Sequence, residues 1–273
     1  MYHRKPAVAG AFYPSGREEL ESMIDGYVSS AEESAFKKSM VGVIAPHAGY
    51  VYSGPVAGWS FRQLMGSGCE VAIVLAPSHR ARFDGASVIP EGIYETPLGD
   101  VEIDAALAGG LSQMPGFGFI KQVHESEHSL EVQVPFLQRV LSSFTIVPII
   151  VGTTDIDMCR NIAEALKDVI SGEKRKCSIV ISTDLSHYHS HDEATLMDRK
   201  FIDALETFSE DEVKKVLISR KAEACGEGPV IAGMLTSRML GASRFELLHY
   251  ATSGDTAGDR AQVVGYLSGA FVR

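Results

Sequence analysis

Positive charge is scarce in this chain: 25 lysines and arginines face 35 aspartates and glutamates, a formal net charge of −10. Binding nucleic acid through its phosphates needs a basic face, so this balance argues against a nucleic-acid partner. The short basic runs Lys37–Lys38 and Lys174–Lys176 lie in polar segments. No stretch approaches the roughly 18 apolar residues of a membrane span, and the opening MYHRKPAVAGAFYP lacks the uninterrupted apolar run of a secretory signal. The cysteines, Cys69, Cys159, Cys177 and Cys225, are widely spaced without a CxxC pair, which favours free thiols in a reducing compartment. The expectation is a cytoplasmic protein, with neither membrane nor nucleic acid as partner. There is no GxGxxG, Walker loop or GxSxG elbow, so dinucleotide-binding, P-loop and α/β-hydrolase readings lose support. Neither an internal repeat nor a linker divides the chain, and residues 1–273 read as one domain.

What is present is an ordinary folding composition, 45% hydrophobic and 22% charged. Apolar, β-branched runs at Val41–Ala45, Val71–Ala76, Thr145–Val151 and Ser178–Ile181 read as buried strands. Helical spacing predicts helices over Arg17 to about Ser34, capped by Ser15, over Pro55–Met65, Asp104–Leu111, His124–Leu141 and Asp157–Ile170, and over Glu193–Phe208, Asp211–Arg220 and Val230–Leu240. Arg82–Gly99 reads as loop with one strand at Ala86–Ile89, and Arg244–Ala251 and Gln262–Val272 read as late strands around a loop. Strand alternating with helix implies an α/β fold, a mostly parallel sheet with helices on both faces.

Five of the nine histidines, His47, His79, His187, His189 and His191, follow predicted strand ends. In open α/β sheets ligands bind outside the carboxyl ends of strands, so these imidazoles share one edge and one candidate pocket. Val41–Ile44 halts at Pro46 and is followed by His47; Val71–Ala76 ends in Pro77-Ser78-His79 and repeats that form. Two neutral imidazoles with one anionic ligand leave metal positions open for water or substrate. Asp184, Glu227, Asp255 and Cys225 are the candidates for the anion, and spacing does not choose among them. Cys225 precedes Gly226, Glu227, Gly228 and a helix, whose terminus would lower the thiol pKa. Asp184 stands three residues before His187, a spacing that lets a carboxylate orient an imidazole for acid–base work. His189 and His191 read equally well as exposed loop positions. In His124-Glu125-Ser126-Glu127-His128 the histidines are four apart, and supporting or structural roles are expected for Glu127 and His128.

The segments PHAGYVYSG, LAPSH, EHSLEVQVPFL, STDLSHY, ACGEGPV and YATSGD, in this order across nearly the whole chain, closely resemble the MEMO family, including its AmmeMemoRadiSam system protein B type. The lead-in PAVAGAFYP fits as well. The resemblance implies the fold of the class III extradiol dioxygenases, a three-layer α/β/α architecture around a mostly parallel or mixed sheet. It matches His47, His79 and Cys225 to metal-binding positions, and Asp184 and His187 to the same pocket. A cysteine stands where those dioxygenases carry glutamate, which counts against ring cleavage and suits Fe(II), copper or zinc. The family's genomic association with AMMECR1-like and radical-SAM proteins implies a shared modification pathway acting on a small molecule or peptide.

Three functions follow as expectations. The first is a metal-dependent oxidoreductase in which His187 and Asp184 handle the proton. The second is a non-catalytic module that captures a peptide or anion in the same pocket. The third makes Cys225 a nucleophile with His187 as base.

Overall fold

A computed structural model describes residues 2–273. Met1, the first residue of the lead-in, lies outside the described residues. The strands are β1 (Tyr2–Arg4), β2 (Met40–Ala45), β3 (Val71–Pro77), β4 (Ala86–Val88), β5 (Gly92–Thr96), β6 (Gly99–Ile103), β7 (Phe117–Gly118), β8 (Thr145–Val151), β9 (Cys177–Ser182), β10 (His187–His189), β11 (Arg244–Thr252) and β12 (Val263–Val272). They form one mixed, open sheet ordered β1-β5-β6-β8-β3-β9-β2-β12-β10, with β11 on β12 and β4 joining β7 and β8. The centre β8-β3-β9-β2 is parallel and flanked by antiparallel β12. These four strands are nearly continuous apolar runs, as strands covered on both faces require.

The helices are α1 (Arg17–Ser30), α2 (Tyr50–Leu64), α3 (Ala105–Leu111), α4 (Lys121–Glu125), α5 (His128–Glu131), α6 (Gln133–Val140), α7 (Ile156–Gly172), α8 (His191–Glu206), α9 (Glu210–Ile218), α10 (Glu227–Met239) and α11 (Ser253–Ala257). They cover both faces, which gives the α/β layering expected from the strand–helix alternation. On one face α10 lies so close that a Cβ on Gly233 would stand 2.3 Å from Ile181 Cδ1. On the other, Ser60 Oγ of α2 donates to Ile44 O at 2.5 Å, and α1 crosses α2 where a Cβ on Gly58 would come within 2.5 Å of Tyr27 O.

Several local expectations are corrected. Gly16, without a side-chain bond, caps α1 in place of Ser15, and α1 ends at Ser30. Helix α2 begins at Tyr50, five residues before Pro55, because Gly49 O accepts Tyr52 and Ser53 N–H and Phe12 O accepts Tyr50 N–H. Proline lacks an N–H and removes only the bond to Val51 O. The loop-like 82–99 stretch holds β5 and the turn at Pro97 and Leu98 that leads into β6, which opens on Gly99 with φ 117°. Helix α8 starts at His191, and α11 occupies the expected 252–259 loop. The helix expected over His124–Leu141 is three short helices, α4, α5 and α6, a break with consequences for the site.

Candidate metal centre

Parallel strands β2, β3 and β9 end on one edge, and each releases a polar residue two positions later: His47, His79 and Asp184. His47 is 2% exposed. Its Nδ1 lies 2.7 Å from Ser182 Oγ. That hydroxyl donates its single proton to Ser129 O at 2.7 Å and accepts from Gln133 Nε2 at 2.8 Å. It must therefore also accept from His47, so the imidazole proton sits on Nδ1 and the lone pair on Nε2.

Glu127 does the same for the His79 ring and lies beside the His128 ring. Its Oε1 is 2.9 Å from His79 Nδ1 and 3.2 Å from His128 Nδ1, while Oε2 accepts His79 N–H at 2.6 Å. Burial opposes its ionisation, but the bonds from His79 and Ser129 outweigh that and hold the carboxyl at about 2. The carboxylate bonded at His79 Nδ1 places the proton there and leaves Nε2 of that ring free. The His79 and His128 rings stack at 4.8 Å, and the His47 ring stands edge-on to both, at 5.2 and 5.5 Å. One nitrogen from each ring lies within 4.8 Å of the other two. Burial, then neighbouring imidazoles, pulls His47 well below its ordinary pKa. Burial outweighs Glu127 and brings His128 down to about 4. His47 and His128 are therefore neutral at pH 7, which exposes their lone pairs to a cation.

Cys225 joins from the far side. Its Sγ meets His47 Nε2 at 3.1 Å and accepts Asp184 N–H at 3.2 Å. The three donors within 4.8 Å of one another are His47, His79 and His128, and Cys225 stands beside them on the His47 side. The expected lowering of the thiol pKa is corrected: burial, reinforced by Asp184, pushes it up. Asp184 Oδ1 accepts His47 N–H at 2.7 Å, and burial raises its carboxyl to about 7 against the backbone bonds from His47 and Ala48. His187 donates Nδ1–H to Leu185 O at 2.7 Å, which frees its Nε2, and burial lowers its pKa.

A cleft of about 460 Å³ opens over this edge, lined by Phe12, Tyr52, His128, Asp184, His187, Tyr188, Asp259 and Tyr266 among others. Tyr188 is 71% exposed and Tyr52 44%. Tyr188 adopts φ 63°, a left-handed conformation costly for a residue with a Cβ.

The remaining candidates fall elsewhere. Glu227 pairs with Lys214, and Asp255 caps α11 and meets Arg260 at 2.9 Å. His189 bonds Glu223 at 3.1 Å and His191 bonds Thr252 at 2.9 Å. His124 turns away to Ser87 at 3.0 Å, and His249 stacks on Trp59. Glu127 supports His79, as expected; His128 joins the cluster itself. Its sequence signal was its place in EHSLEVQVPFL. Ser182, Gln133 and the two rim tyrosines carried no spacing signal.

The family model for Memo-like proteins matches residues 4–270. A MEMO1 family protein of Methanopyrus kandleri is 39% identical over 280 residues, covering 99% of this chain and 99% of that protein. One from Methanothermobacter thermautotrophicus is 38% identical, with 96% of this chain and 98% of the relative covered. A third, from Nitrosopumilus maritimus, is 35% identical over 96% of this chain and 97% of its own length. With its motifs in order and near-complete coverage in each comparison, the chain belongs to the Memo-like protein family.

Proposed function

We propose that this protein is a cytoplasmic, non-haem metal-dependent oxidoreductase acting in a radical-SAM-associated modification pathway. The observation that carries the reading is the convergence of three imidazole nitrogens within 4.8 Å, with the His47 and His79 rings each held at Nδ1 by a protein oxygen and His128 Nδ1 3.2 Å from Glu127 Oε1. The resemblance to non-haem iron enzymes puts Fe(II) first, and neutral nitrogen donors with an adjacent sulfur suit copper or zinc as well. His47 and His79 would hold the metal, with Cys225 as the anionic ligand and His128 at the same centre.

When bound, the metal supplies Lewis acidity and, as iron or copper, one-electron chemistry. The chain's own groups handle the rest. Asp184, at about 7, carries or releases a proton at neutral pH, and its bond from His47 N–H fixes it beneath the cleft. His187 exchanges protons at Nε2 while Leu185 O holds its other nitrogen. Tyr52 and Tyr188 flank the entrance, wide enough for a small molecule or a peptide side chain. AMMECR1-like and radical-SAM proteins are the partners this reading assigns.

A non-catalytic module is the second reading, favoured by the two exposed rim tyrosines. Its anion-binding form is disfavoured, because the cleft lining includes Asp184 and Asp259 and neither lysine nor arginine among the described residues. Metal analysis of anaerobically purified protein decides. Wild type should carry near one equivalent and a His47→Ala/His79→Ala double variant almost none; equal, low occupancy in both sinks the proposal.

A further inference from the structure

The break between α4 and α5 is the feature that local sequence does not explain. Residues 121–140 carry a helical apolar pattern, yet Ser126 sits at φ −122°, ψ 8° and Glu127 at φ −80°, ψ 126°. In a continuous helix His128 N–H would bond His124 O. Instead it donates to Glu127 Oε1 at 3.0 Å, as does Ser129 N–H at 3.1 Å. The break thus frees the Glu127 carboxylate to swing back over the start of α5, where it reaches His79 and His128 together.

Breaking a buried helix strands backbone carbonyls, and these need donors. Arg4 supplies them from 120 residues away. Its Nε donates to His124 O at 2.9 Å and its Nη2 to Glu127 O at 2.7 Å, one carbonyl on each side of the break. Its Nη1 pairs with Glu131 Oε2 at 2.5 Å. Arg4 is 1% exposed and Glu131 0%. A planar guanidinium spreads its donors over three nitrogens and matches three separated acceptors in a fixed geometry, whereas the three donors of an ammonium radiate from one atom. A buried ion pair is also a poor source of stability compared with apolar packing, so its presence calls for another reason.

We propose that Arg4 is a positioning residue of the metal centre: by satisfying the carbonyls of His124 and Glu127 it holds the break that aims Glu127 at both His79 and His128. The proposal rests on the metal reading above. Glu131 extends the same lock to the lead-in, accepting from Ala7 N–H at 2.9 Å, Val8 N–H at 3.0 Å and Tyr13 Oη at 2.5 Å. That lead-in carries Phe12, whose ring packs 4.8 Å from His128. Arg4 touches none of the three imidazole side chains and acts through Glu127.

Two measurements test it on the full chain: nitrogen NMR of histidine tautomers in metal-free protein, and titration with Co(II). Wild type is compared with Arg4→Met, Arg4→Lys and a control, Arg175→Gln, which removes an arginine bound to buried Asp104 far from the site. Arg4→Met should lose the fixed Nδ1–H form of His79 and weaken Co(II) binding at least tenfold. Arg4→Lys should fall between, and Arg175→Gln should match wild type in both readouts even if its Tm drops. A folded Arg4→Met protein with unchanged tautomers and cobalt affinity overturns the proposal, as does an equal loss in Arg175→Gln. If Arg4→Met does not fold, Arg4→Lys decides by the same criteria. If wild type takes up no Co(II), the metal reading fails, and the tautomer signals alone still judge Arg4.

Discussion

Ser182 Oγ and His47 Nδ1 lie 2.7 Å apart, and the hydroxyl's only proton is committed to Ser129 O, so Ser182 dictates which nitrogen of His47 is free. Outer partners of this kind are worth about 10- to 100-fold in metal affinity. Ser182→Ala should weaken Co(II) binding within that range while leaving a folded protein. Unchanged affinity would show that the His47 tautomer is set elsewhere.

Acid should destabilise the fold well above the range in which carboxylates titrate. Burial, then Arg4, holds His124 down to about 3, whereas the unfolded chain takes up that proton near about 6.5. A depressed folded pKa means the stability is whole above about 6.5 and is lost as pH falls toward 3. His47, His128 and His187 shift in the same direction. His124 alone accounts for on the order of 3 kcal/mol at pH 4. Denaturant titrations at pH 7 and pH 4 should show the drop, and His124→Gln should make it shallower; an identical pH slope in the variant refutes the assignment.

Gly58 sits where α2 crosses α1, and an added methyl would come within 2.5 Å of the Tyr27 carbonyl oxygen. Backbone cannot step aside as a side-chain tip can. Overpacking of this kind costs about 1–3 kcal/mol. Gly58→Ala should lower the urea midpoint accordingly, whereas Gly26→Ala, with nothing within 4 Å, should not.

Tyr188 holds φ 63° at the mouth of the cleft. Removing its Cβ relieves a strain of about 1–2 kcal/mol, offset in part by the greater freedom of glycine in the unfolded chain. Tyr188→Gly should therefore leave Tm unchanged or raise it, although it deletes a large aromatic side chain. A clear fall in Tm would mean that the exposed ring contributes to packing.

Cys225 tests the expected ligand set directly. A thiolate on Co(II) gives an intense near-ultraviolet charge-transfer band that imidazoles do not. The wild-type cobalt protein should show it and Cys225→Ser should lack it. If wild type lacks the band while binding Co(II) tightly, His128 takes the place assigned to Cys225.

Strands β2, β3, β8 and β9 were legible from their apolar, β-branched runs, since a strand covered on both faces has little else it can be. His47 and His79 were legible for the same reason, because parallel strands deliver whatever follows them to a common edge. The hairpin β5–β6 was hidden by short strands rich in charge and glycine, and the start of α2 by a proline that looked like a first-turn residue.

The chain's own pattern determined the layered α/β architecture, the sheet edge on which the candidate site lies, and the strand-end places of His47 and His79. These depend on burial periodicity and on strand direction, which are local properties. The place of His128, the tautomer of His47 and the raised thiol pKa of Cys225 were decided only in the tertiary structure. Each depends on groups far away in sequence: Arg4 at the helix break, Ser182 at the His47 ring, and at the sulfur the burial completed by other elements together with the charge of Asp184. Hydrogen bonds between distant residues leave no periodicity to read.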